Sequence, residues 1–208
     1  QSYVAHTDAM IGLGFTLENS EEFREAYRPM DKLVRENLNA NDLYYTYYTS
    51  IVNHNGAGTS RSFTSLQGTM FVLIESRGIR SGTTSYPRRI VTQVIAMQTM
   101  IEHVAENAHT IKTVVANERQ RIIDLGKTYE ESDQILLELA ESEDTSWNHP
   151  YTYGYQSGTV YTGTKTPTVW NKVVRSRTAP TAYVIPAGEG FVDNVLAMMD
   201  KHGISYAF

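Results

Sequence analysis

Cysteine is absent from the 208 residues. That excludes a disulfide framework, a thiolate zinc site and a cysteine nucleophile. Positive charge is also scarce: 18 Lys and Arg stand against 23 Asp and Glu, a net charge of -5. A chain of that sign has no general attraction for nucleic acid or an anionic membrane surface. No apolar run approaches the ~20 residues of a membrane-spanning helix. Internal repeats, low-complexity tracts and a signal-peptide pattern are missing too, and the first residue is Gln1 rather than Met. That start reads as a cut end, either a processed chain or one beginning within a longer protein. What remains is ordinary globular composition, 41% apolar and 20% charged, which excludes disorder and collagen-like folds. The length allows one large domain or two small ones.

The pattern predicts an α/β chain. Residues 19–38 read as a helix: Ser20 is placed to cap, Glu21 and Glu22 follow, and Phe23, Ala26, Tyr27, Met30, Leu33 and Val34 recur at helical spacing. Pro29 inside that pattern is expected to kink or split it. Residues 41–52, rich in Tyr, Thr and Ile, predict a strand, and 53–62 a glycine-bearing loop. The run 70–75, MFVLIE, suits a strand buried on both faces. Between 88 and 125, Ile90, Val94, Met97, Ile101, Val104, Ala108, Ile111 and Val115 step by three and four. That predicts one long helix with an apolar stripe facing the core, opened near Ser85 and Pro87 and stopped at Gly126. Residues 129–186 switch to Gly, Thr, Tyr and alternation, predicting several short strands. The tail reads as a strand at AYVIPA, a helix from about 189 to 201 stopped by Gly203, and a last strand at ISYAF.

The sharpest chemical signal is Glu75, a carboxylate at the end of the predicted strand, beside a polar glycine-bearing segment. Ligands of open α/β sheets bind outside the carboxyl ends of strands. A desolvated glutamate there carries a raised pKa and can shuttle protons. The bland alternative is an ion pair with Arg77 or Arg80 at the sheet edge. Arg61 is suited equally to a substrate contact or a backbone carbonyl.

The segment SRSFTSLQGTMFVLIESRG resembles the stretch around the catalytic glutamate of zinc metallocarboxypeptidases of the carboxypeptidase A-like family. Arg61, Leu66, Gln67, Gly68, Leu73, Ile74, Glu75, Arg77 and Gly78 match the bacterial pattern. RRIVTQVIAMQTMIEHVAENA is similar to the helix closing that catalytic domain, and APTAYVIPAG with KHGISY to pieces of the bacterial C-terminal extension. The resemblance implies the C-terminal part of a mixed-sheet carboxypeptidase-like fold over 1–126, with the long closing helix, and a small β-rich α+β region over 127–208. It implies hydrolysis near the C-terminus of a peptide substrate, with one zinc ion held by a His-x-x-Glu pair and a later His. Zinc lowers the pKa of its bound water and polarises the scissile carbonyl. Glu75 then matches the general base that takes the water's proton and hands it to the leaving amine. Arg and Asn side chains hold the terminal carboxylate. Extracytoplasmic or secreted localisation follows by the same resemblance.

The departures are equally definite. The family's zinc ligands and carboxylate-binding Arg lie N-terminal to the segment that begins here, in a half of the catalytic domain these residues lack. The fragment alone is therefore expected to bind no zinc and hydrolyse nothing. Phe63 stands where many bacterial members have Tyr. Tyr44, Tyr45, Tyr47 and Tyr48 remain cleft-lining candidates without a motif to choose among them. His6, upstream of Glu75, is the one candidate metal ligand, against a solvated or hydrogen-bonded histidine. His103 and Glu106 fit His-x-x-Glu on spacing, but their place after Glu75 reads as a solvated helix flank. His54 is a cleft-lining or surface loop residue, and His149 and His202 read as structural. Two other functions stay open: a non-catalytic binder on the same fold, and a glycan- or wall-binding surface in the Tyr-rich region over 129–208.

Overall fold

The computed structural model describes residues 7–47, 58–76, 83, 86–127, 129–154 and 160–208. Its elements are β1 (Ala9–Leu13), α1 (Glu21–Glu25), α2 (Tyr27–Ala40), β2 (Tyr45–Tyr47), α3 (Ser60–Leu66), β3 (Val72–Ser76), α4 (Tyr86–Glu106) and α5 (Ala108–Leu125). Then follow β4 (Gln134–Glu143), a 3-10 turn at Thr145–Trp147, β5 (His149–Gly154), β6 (Val160–Lys165), β7 (Thr168–Thr178) and α6 (Val192–His202). The chain is mixed α/β.

The first helical region forms for the expected reasons and breaks elsewhere. Ser20 Oγ accepts the Phe23 N–H, and Glu21 and Glu22 occupy the first turn of α1. The chain breaks at Ala26, not at Pro29. Pro29 is the third residue of α2, where backbone N–H groups have no intrahelical acceptor, so its missing donor is harmless. Tyr27, Met30, Val34 and Leu38 form the buried stripe, while Leu33 lies outside it.

β1 is the centre of a three-stranded sheet, ordered β2-β1-β3. β2 runs parallel to β1, with Ala9 opposite Tyr45 and Ile11 opposite Tyr47. β3 runs antiparallel, with Met10 opposite Glu75 and Leu13 opposite Val72. Ala9, Ile11 and Leu13 are buried, as are Tyr45 and Tyr47. β3 is not buried on both faces: it is an edge strand among the described residues, and each of its residues is half-buried. The aromatic core closes over this sheet, with Phe15 against Tyr27 (ring centroids 5.1 Å) and against Trp147 (5.8 Å). The Tyr27 hydroxyl accepts the Phe71 N–H at 3.0 Å, fixing the start of β3.

The expected loop over 53–62 gives way at its end to α3, which Thr59 caps through the Ser62 N–H. Residues 53–57 lie outside the described residues, as does 48–52 of the expected strand. Ser85, expected to open the long helix, lies outside as well, and that helix divides at Asn107. Asn107 Nδ2 donates to the His103 carbonyl at 2.9 Å, a side-chain bond that competes with helical pairing. The larger correction is rotational. The inner face of α4 is Thr92, Ala96, Thr99 and His103, whereas Ile90, Val94, Met97, Ile101 and Val104 are 43% to 65% exposed. Thr92 and Thr99 satisfy their hydroxyls on carbonyls one turn back. Small side chains let α2 come close, and Asn37 Nδ2 reaches Thr99 Oγ1 at 2.8 Å. Periodicity shows that one face is apolar but not which face meets the protein.

Beyond α5, β4 pairs antiparallel with β7, and β5 with β6. α6 ends on Gly203, whose φ of 66° is the left-handed conformation glycine adopts freely. The Ile204 N–H returns to the Met199 carbonyl at 2.9 Å, the hydrogen bond of a Schellman stop. The expected strands at AYVIPA and ISYAF do not form. A strand exists only with a partner for its backbone groups, and neither segment has one among the described residues.

Candidate active-site strand and its polar supports

Glu75 is the penultimate residue of β3, half-buried, in register with Met10 of β1. Three supports hold that strand end. Gln93 Nε2 of α4 donates to the Ile74 carbonyl at 3.2 Å. The buried Asp8, just before β1, accepts the Tyr44 N–H at 2.7 Å and the Arg88 guanidinium at 2.8 Å. Arg88 also reaches the Asp42 carbonyl and lies 5.6 Å over the Tyr44 ring. Thus β1, β2 and α4 are tied together at the end of the sheet where Glu75 lies. Arg77, Gly78 and Arg80 lie outside the described residues.

The Leu66-Gln67-Gly68 part of the motif has a local structural reason. Gly68 turns the chain from α3 toward β3 with a φ of 63°, and a Cβ there would meet Arg119 Cγ at 2.9 Å. Only glycine combines that dihedral with that approach. Arg119 then donates to Thr69 Oγ1 at 2.9 Å. Arg61 is in the first turn of α3 and half-buried, not in an open loop. Phe63, on the same helix, meets the His202 ring edge-on at 5.8 Å.

Other candidates do not converge on Glu75. His6, His54 and Tyr48 lie outside the described residues. His103 is buried rather than solvated, facing inward on α4, while Glu106 is exposed at its end. The two therefore do not form one metal-facing pair, although they are three residues apart. Tyr45 and Tyr47 are core residues, not cleft lining. The Tyr47 hydroxyl donates to Asp31 Oδ2 at 2.6 Å, and Arg35 Nε donates to the same oxygen at 3.0 Å. Burial pushes the Asp31 carboxyl above its ordinary range, with Tyr47 and Arg35 opposing. The Tyr45 hydroxyl donates to the Pro150 carbonyl at 2.7 Å. His149 is buried with its ring 4.4 Å from Tyr47 and 5.6 Å from Tyr45. Burial lowers its pKa to about 4. Its Nε2 and Asp31 Oδ1 have no hydrogen-bond partner among the described residues.

Sequence reasoning missed Glu118, a fully buried carboxylate on α5. Arg121 grips it with two bonds, at 2.8 and 3.1 Å. Asn19 Nδ2 donates to it at 3.1 Å, and the Ser20 N–H lies 3.3 Å from both oxygens. Asn19 also donates to the Ser65 carbonyl at 2.9 Å, so one carboxylate joins α5, the start of α1 and α3. Burial disfavours its charge, but these donors outweigh burial and hold the pKa down to about 2. The available signal was an acid at a core-spaced position, four residues after buried Val114, with Arg121 three further on.

No group of three or more His, Asp or Glu residues able to hold a metal ion occurs among the described residues. They do not fit a zinc site, so a zinc ion needs ligands from elsewhere. No family model matches the chain, and neither does any curated protein or solved structure.

Proposed function

We propose that these residues are the glutamate-bearing part of a zinc metallocarboxypeptidase-like hydrolase that cleaves near the C-terminus of peptides. The observation that carries the reading is the position of Glu75. It occupies the carboxyl end of β3, inside a motif whose turn glycine has a demonstrable steric role. The Glu75 carboxylate takes a proton from the attacking water and returns it to the leaving amine. Arg61, in the first turn of α3, is assigned to substrate contact near that strand. The metal-holding residues belong to further polypeptide, the other half of the catalytic domain, and the setting is extracytoplasmic. Alone, the 208-residue chain retains no stoichiometric zinc after dialysis, as read by elemental analysis, and releases no C-terminal residue from a peptide. One tightly held zinc per chain overturns that division of labour.

Phe63 supports a second reading, a binder without catalysis, because its ring packs on His202 and offers no hydroxyl. The two separate on turnover by the assembled protein: the enzyme releases C-terminal residues, and the binder retains peptide uncut.

A further inference from the structure

The outward apolar face of α4 is built like a helix-pairing seam. Ile90, Val94, Met97, Ile101 and Val104 alternate steps of four and three, the a/d spacing of a coiled coil rather than the wider stripe of a helix lying on a core. All five are exposed, together with Tyr86 and Val91. Uncharged Gln93, Gln98, Met100 and Ala105 flank the seam, so no like charges oppose a partner. The other side of the helix is already committed to α2.

We infer that this seam pairs α4 with α4 of a second copy of the chain, antiparallel and about a two-fold axis near Met97. Two observations select this occupant. The seven apolar side chains expose on the order of 600 Å2, so a symmetric pair buries about 1,200 Å2, the lower end of specific interfaces. Arg88 and Arg89 lie in the first turn of α4, and Glu102 and Glu106 near its end. An antiparallel pair sets the basic end of each helix beside the acidic end of the other, whereas a parallel pair stacks like charge on like. This interface is independent of the peptidase reading.

Sedimentation velocity on the 208-residue chain from 1 to 100 µM tests it. A species of twice the 23.4 kDa chain mass is expected to grow with concentration. The double variant Val94→Glu, Ile101→Glu is expected to weaken dimerisation at least ~100-fold, because four carboxylates enter one apolar seam. Its circular dichroism and melting are expected to match the native chain, because both positions are exposed. The absence of cysteine gives a second readout that needs no charged variant. Met97→Cys should cross-link to its own copy with a short bis-maleimide. Ile90→Cys should not do so alone but should link when mixed with Val104→Cys. A monomer at every concentration overturns the inference, as does a dimer indifferent to the double variant, or efficient self-linking of Ile90→Cys.

Discussion

Replacing Glu118 by Gln removes one negative charge and nearly nothing else in volume. The carboxylate accepts from Arg121 twice, from Asn19 and from the Ser20 N–H. An amide keeps one acceptor but turns an N–H2 group toward these donors. The carboxyl pKa falls from 4.5 to about 2 on folding. At about 1.4 kcal/mol per unit, that shift corresponds to an upper figure of about 3 kcal/mol. Arg121 is 36% exposed, so water screens part of this, and about 2 kcal/mol is expected. For a chain of this length that lowers the melting temperature by roughly 4–8 °C. The pH dependence is the sharper signature. A folded pKa below the unfolded one stabilises the protein at pH values above about 4.5, and that stabilisation fades as pH falls toward 2. Urea unfolding of both proteins from pH 7 to pH 2.5 should show a gap that narrows in acid. A gap below about 0.5 kcal/mol at pH 7, or one unchanged in acid, refutes the reasoning.

His149 titrates with a similar sign in a higher window. Burial lowers its pKa from 6.5 to about 4, with Arg35 and Lys165 contributing and the Trp147 carbonyl opposing. The unfolded chain therefore takes the proton first, and stability falls as pH drops from about 6.5 to about 4, by up to roughly 3 kcal/mol. His149→Phe should flatten that part of the stability–pH curve, and an unchanged slope counts against it. Tyr47→Phe deletes the 2.6 Å bond to buried Asp31, which should cost about 1–3 kcal/mol in denaturant unfolding. Gly14→Ala drives a Cβ to 2.8 Å from Phe71 Cβ and against the Phe71 backbone, so a loss of at least ~2 kcal/mol in the same assay is expected.

Local rules made much of this fold legible. Ser20 capped its helix, Gly203 stopped one, and the Val72–Ser76 strand ended at Glu75 as spacing and composition implied. Where chain segments choose partners, legibility ended. The α4 stripe was recognised, yet the helix packs on Thr92, Ala96, Thr99 and His103, since close approach by α2 favours small residues. Tyr45 and Tyr47 looked like cleft residues, but Asp31 and Pro150 give their hydroxyls buried partners. Glu118 finds its donors on residues about a hundred positions away, a separation no local pattern encodes. For the candidate site, the sequence supplied Glu75 and its motif. The ties from Gln93 and Asp8 appeared only in three dimensions.

The acid–base assignment of Glu75 is tested most directly by the polypeptide that joins these residues to a metal-holding segment. Native protein and Glu75→Gln are to be compared at equal, measured zinc content for release of C-terminal residues from a peptide. The account expects native turnover, and a fall in kcat of at least ~1,000-fold in the variant with zinc and peptide binding retained. A variant keeping more than about a tenth of native kcat, or a zinc-loaded native protein that releases no residue, contradicts it.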